Sequence, residues 1–162
     1  MPEELPVDLQ ALFNGIPFHR DHQFTVTAAA GGVRFEGSLP HTSGRGSGSA
    51  QAHGGAVAAI LDTAATLAIM NETGQSWATV DLRVDYLRPV PLDSVSVIGC
   101  VVRAGRQVGR ATAELHDGSG RLCATAVGTF VRAADRSNHE APLDDDLMPV
   151  SGDGRVSQPE LQ

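Results

Sequence analysis

The sequence has no lysine; all twelve of its basic residues are arginine. That excludes Schiff-base catalysis and any phosphate-binding loop ending in Lys-Ser or Lys-Thr. Cysteine is almost as scarce. Cys100 and Cys123 are too few for a disulfide framework, and both lie in apolar, strand-like runs where a cysteine acts as a small core residue. Long apolar runs are missing too: the longest, Ala56 to Met70, is broken by Asp62, Thr63 and Thr66 and falls short of the roughly 20 residues a membrane span needs, so no membrane helix is expected. The N-terminal MPEELPVDLQ has neither the basic start nor the apolar stretch of a secretory signal, which makes the cytoplasm the expected location. There is no G-x-S-x-G elbow and no dinucleotide fingerprint. His19, His22, His41, His116 and His139 show no metal-ligand spacing. Neither a metal nor a cofactor is expected.

What is present describes one domain. The chain has 162 residues, with 41% hydrophobic and 19% charged, the balance of an ordinary globular protein. Its net charge of -7 is concentrated in the last thirty residues, where seven acidic residues face only Arg136 and Arg155. Neither part of the chain has the basic balance that phosphate-backbone binding requires, so nucleic acid is not an expected partner. The organisation reads as a lead-in over 1–20, a folded domain over 21–132, and an acidic, proline-containing, non-periodic tail over 133–162.

Within the domain, Gln23 to Ala30 and Val33 to Leu39 flank Gly31-Gly32 and predict a hairpin. A Gly/Ser-rich loop, His41 to Ala52, follows. His53-Gly54-Gly55 then opens an alanine-rich helix running to about Glu72, with Gly74 as its stop. Beyond it the period changes to two. Ala78, Val80, Leu82, Val84 and Tyr86 alternate with Trp77, Thr79, Asp81, Arg83 and Asp85, and three further strands follow at Ser94 to Arg103, Gln107 to His116 and Arg121 to Arg132. One long helix and six strands predict an α+β fold, an antiparallel sheet curled around the helix.

That helix contains an acid. Three, four and seven residues from Asp62 stand Ala58, Ala59, Ala65, Thr66, Gly55 and Ile69, none charged, so the carboxylate is expected to be desolvated with its pKa pushed upward. A buried Asp of this kind either caps a neighbouring backbone group, sits at a wet subunit seam, or does chemistry. At the start of the helix, Gly54 and Gly55 present amides with no intrahelical partner where the helix dipole is positive, a ready site for an oxyanion. Gly55 and Asp62 share a face but lie about 10 Å apart along the axis, too far for one carbonyl to touch both. Two helices packed antiparallel across a two-fold axis bring Asp62 of one subunit opposite Gly55 of the other.

His53, Gly54, Gly55 and Asp62 on an alanine-rich helix, followed by T-V-D-L-R-V-D-Y-L-R-P-V from Thr79 to Val90, the Gly105-Arg106 turn and the strand A-T-A-V-G-T-F from Ala124 to Phe130, resemble the hotdog-fold acyl-CoA thioesterases of the phenylacetate-degradation (PaaI-like) type. The resemblance spans about residues 20–132. It implies a six-stranded sheet wrapped around one long central helix, a homodimer that often pairs into a tetramer, and active sites at the dimer seam. It further implies Asp62 as nucleophile or general base, Gly54 or Gly55 as the backbone donor to the thioester oxygen, His53 shaping the helix entry, and Thr79 as a positioning hydroxyl. Family members commonly carry Asn six residues before the His; here that position is Ser47, with Gln51 nearby. For an acyl-CoA substrate, Arg88 and Arg106, ahead of Arg83 and Arg110, are candidate contacts to the CoA phosphates. A hotdog hydratase or dehydratase of enoyl thioesters and a non-enzymatic acyl-CoA binding module are the alternatives.

Overall fold

The computed structural model describes residues 8–133; the acidic tail expected beyond that point and the first seven residues lie outside them. A short helix α1 (Leu9–Asn14) leads through a 3-10 turn (Pro17–His19) into the hairpin β1 (Gln23–Ala29) and β2 (Gly32–Ser38). Helix α2 (Gly54–Thr73) follows, then strands β3 (Trp77–Tyr86), β4 (Val95–Ala104), β5 (Val108–Asp117) and β6 (Leu122–Arg132). The strands form one antiparallel sheet in the order β1-β2-β4-β5-β6-β3, with α2 against its inner face. Both the predicted elements and the α+β class are found.

α2 starts and stops where its sequence dictates. His53 is its N-cap, and Gly74 closes it at φ 64°, a left-handed conformation that glycine adopts freely, with its N–H donated to the Met70 carbonyl. The helix spans 20 residues with mean hydropathy 1.4, long and apolar enough to cross a bilayer, unlike the shorter run that the sequence suggested. In this fold the sheet covers it. Ile60, Leu61 and Ile69 are fully buried against sheet residues that include Phe35, Val97, Leu115 and Phe130. Each such side chain contributes about 1.5–3 kcal/mol of burial. The contact with β4 is so close that a Cβ placed on Gly99 would stand 2.2 Å from the Ala64 carbonyl oxygen, a space only glycine leaves free.

α1 packs its Leu9 and Phe13 into the same core, and Phe13 stacks on His19 with ring centroids 4.6 Å apart. The β5–β6 turn is held by Asp117. Its carboxylate accepts hydrogen bonds from Ser119 and Arg121, which keep its pKa well below the usual carboxylate range.

Two features depart from a regular wrapped sheet. Among the described residues β3 is an edge strand paired only with β6, and it carries a bulge: Thr79 faces Phe130, Asp81 faces Thr129, and Val80 between them has no partner. α2 is also not covered all round, because Ala58, Ala59, Asp62 and Thr66 form a half-buried stripe with Gly55 exposed at its head.

Candidate active site

The bulge in β3 places the site. Strict alternation from Trp77 puts Thr79 on the opposite side from Leu82 and Val84. With Val80 as an extra residue the phase shifts, so Trp77 and Thr79 before it, and Leu82, Val84 and Tyr86 after it, all face α2. Thr79 Oγ1 donates a 2.9 Å hydrogen bond to Asp62 Oδ1. Burial pushes the Asp62 carboxyl up from its ordinary value, and the Thr79 hydrogen bond pulls it back part of the way.

At the head of the helix, His53 Nδ1 accepts the Gly55 N–H at 3.0 Å, so His53 caps the helix and occupies that amide. Nδ1 must therefore be unprotonated. The Gly54 N–H makes no hydrogen bond among the described residues. Tyr86, which no sequence pattern singles out, lies against Gly54 and donates its hydroxyl to the Gly54 carbonyl at 2.8 Å.

The remaining candidates divide. Gln51 and Arg88 share a cavity of about 350 Å³ with Gly54 and Tyr86, and Gln51 Oε1 is buried with no partner among the described residues. Arg88 also donates to the Leu122 carbonyl at 2.6 Å. Ser47 stands apart: it is exposed at the tip of the Gly46–Ser49 turn and makes no side-chain hydrogen bond among the described residues. Arg106 is at the far end of the sheet. Arg88 N–H reaches Cys123 at the start of β6, whereas the residue after Arg106, Gln107, accepts from Arg132 at its end. Those anchors are nine positions apart along β6, about 30 Å, so the two arginines of one chain do not meet on one phosphate group.

A further cavity of about 480 Å³ opens on the side of α2 where the half-buried stripe begins. Gly55, Ala56 and Ala59 form its helical wall, with Phe18, His22 and Pro40 opposite. Asp62 lies three residues beyond Ala59 on the same face.

These features have counterparts among known proteins. The sequence model of the thioesterase superfamily matches residues 51–124, which run from the helix entry into β6. The chain has the hotdog fold, and over those residues it is similar to the thioesterase superfamily. Among curated relatives, the medium/long-chain acyl-CoA thioesterase YigI of Escherichia coli K12 is 33% identical over 94 residues, covering 49% of this chain and 61% of YigI. The match thus spans about three fifths of that relative's length. Among solved structures, zebra fish thioesterase superfamily member 2 superposes with a TM-score of 0.67 at 25% identity, covering 77% of this chain and 93% of that one. The E. coli PaaI protein of the phenylacetic acid degradation operon gives 0.67 at 19% identity, covering 77% and 90%, and shares the fold. Within this fold, Asp62 with its Thr79 partner lies seven residues along α2 from Gly55, on the same helix face.

Proposed function

We propose that this protein hydrolyses the thioester bond of acyl-CoA substrates, working as a homodimer with its sites at the subunit seam. The observation that carries this reading is Asp62: one half-buried carboxylate, held by the Thr79 hydroxyl, on the partly uncovered stripe of an otherwise apolar helix. A desolvated carboxylate disfavours folding, and an ordinary core position has no need of it. The names of the relatives, acyl-CoA thioesterases among them, point to the same bond.

In this reading the uncovered stripe of α2 and the unpaired edge of β3 meet the same surfaces of a second copy. The partner's helix start then faces Asp62 across the seam. The amides of Gly54 and Gly55 stabilise charge on the thioester oxygen; the Gly54 N–H is unengaged, and that of Gly55 becomes available when His53 turns aside. Asp62 either attacks the carbonyl carbon to form a mixed anhydride that water then hydrolyses, or takes a proton from a water that attacks the carbon; in both cases the C–S bond breaks and CoA leaves as the thiolate. Gln51 and Arg88 line the cavity on the other side of Gly54 and suit the CoA side of the substrate.

The test is Asp62→Asn, which keeps shape and removes charge. Hydrolysis of acyl-CoA is expected to fall by about 10² or more, the range of acid-base contributions, with binding retained. A variant that keeps more than about a tenth of wild-type turnover removes Asp62 from the mechanism.

A further inference from the structure

The cavity beside Gly55 has a wall that the reaction does not use. Phe18 is 57% exposed although its ring packs edge-on against His19 and tilted against His22, with centroids 5.2 and 5.6 Å away. A large aromatic left uncovered at the mouth of a cavity offers apolar surface to whatever enters. His22 beside it has both ring nitrogens buried with no hydrogen-bond partner among the described residues. Burial lowers its pKa, against a weaker upward pull from Asp21, so the ring is held toward its neutral form. Among the described residues no arginine lines this cavity; besides the imidazoles of His22 and His53, its ionisable group is Asp21. Opposite, Gly55, Ala56 and Ala59 contribute almost no side-chain volume, which is why there is space at all.

We propose that the Phe18–His22 wall receives the acyl group and selects neutral acyl chains, aliphatic or aromatic, over chains ending in a carboxylate. The inference rests on the thioesterase reading and deepens it. An apolar acyl end covers Phe18 and lies against the His22 ring. A terminal carboxylate meets no arginine there and faces Asp21, and removing it from water without a charged partner is unfavourable. Selection of this kind is the work of contacts worth about 1–3 kcal/mol, or roughly tenfold to two-hundredfold in kcat/KM.

The experiment compares hexanoyl-CoA and benzoyl-CoA with adipoyl-CoA, using the full chain. Wild type is expected to favour the two neutral thioesters by about tenfold or more in kcat/KM. Phe18→Ala lowers that ratio, mainly through KM for the neutral substrates. Phe18→Arg, at a position exposed enough to accept the change without disturbing the fold, moves the preference toward adipoyl-CoA; His22→Arg, checked for folding by its thermal midpoint, does the same. Wild-type turnover with no preference, or ratios unmoved in both Phe18 variants, overturns the wall alone. A wild-type protein that hydrolyses none of the three thioesters overturns the hydrolase reading and the wall together.

Discussion

At the scale of single residues, Asp62 is pulled two ways, and the sign of each pull is open to test. Burial favours the neutral acid, whereas the Thr79 hydroxyl, as a donor, favours the carboxylate. If hydrolysis needs the carboxylate, activity declines as pH falls through the Asp62 pKa, which lies above the ordinary value. Thr79→Ala removes the one contact that holds that pKa down. The acid limb of the kcat/KM profile is therefore expected to move to higher pH in Thr79→Ala and to return in Thr79→Ser, as rates measured across the acid range will show. A Thr79→Ala profile superimposed on that of wild type would break the link between this hydrogen bond and the reaction. The Asp itself was legible in the sequence because it is out of place among Ala58, Ala59 and Ala65. Tyr86 was not, because its partner is a backbone carbonyl, and sequence patterns carry no trace of which carbonyl a hydroxyl will find.

At the scale of elements, the lead-in segment and α2 are joined by a buried contact between His19 and Thr63, the neighbour of Asp62. His19 is 3% exposed, and its Nε2 lies 2.7 Å from Thr63 Oγ1. The Thr63 proton is already given to the Ala59 carbonyl, so Nε2 must carry the hydrogen, and Nδ1 is a buried acceptor with no partner among the described residues. A second proton there would be unsolvated, and burial, reinforced by His22, lowers the His19 pKa from 6.5 to about 4. The folded state thus stays neutral while the unfolded state takes up a proton. Stability is complete above pH 6.5 and is lost as pH falls toward 4. This amounts to about 3 kcal/mol over the whole window. His19→Gln keeps a donor for Thr63 and does not titrate, so its urea midpoint is expected to decline less than that of wild type between pH 7 and pH 5; parallel declines would refute the assignment.

The elements themselves were largely legible, since apolar period and the glycine stops mark both helix and strands. The phase of β3 was not. Alternation alone sets Thr79 outward with Asp81, and only the unpaired Val80 turns it toward α2. A bulge is a property of two paired strands, and neither strand announces it by itself.

At the scale of the whole molecule, Gly55 and Asp62 are too far apart on one helix to share a carbonyl, and the stripe between them is the part of α2 that the sheet leaves half-covered. If two chains complete each other there, inactive variants can be made to help one another. Gly55→Val blocks the carbonyl site of one chain and Asp62→Asn disables the acid of the other, so each homodimer is expected to be inactive. Co-refolding the two leaves one seam of every mixed dimer with both groups intact. Since about half of randomly assembled dimers are mixed and each regains one of its two sites, recovery should approach about a quarter of wild-type activity. Background activity, with mixed dimers demonstrated and the Val variant folded, would place both groups on the same chain.

The strand order also governs when such a protein can come into being. β3 is made directly after α2, yet its neighbour in the sheet is β6, the last of the described strands. During synthesis Asp62 and its helix leave the ribosome early, and Thr79 follows on a strand that has nothing to pair with until Leu122–Arg132 has emerged. A nascent chain halted before that point exposes an unpaired edge of the kind chaperones shield, and it holds the acid without the hydroxyl that steadies it. If Asp62 and Thr79 act together as proposed, that activity arrives only as the last described strand emerges, and a half-made chain would leave thioesters alone.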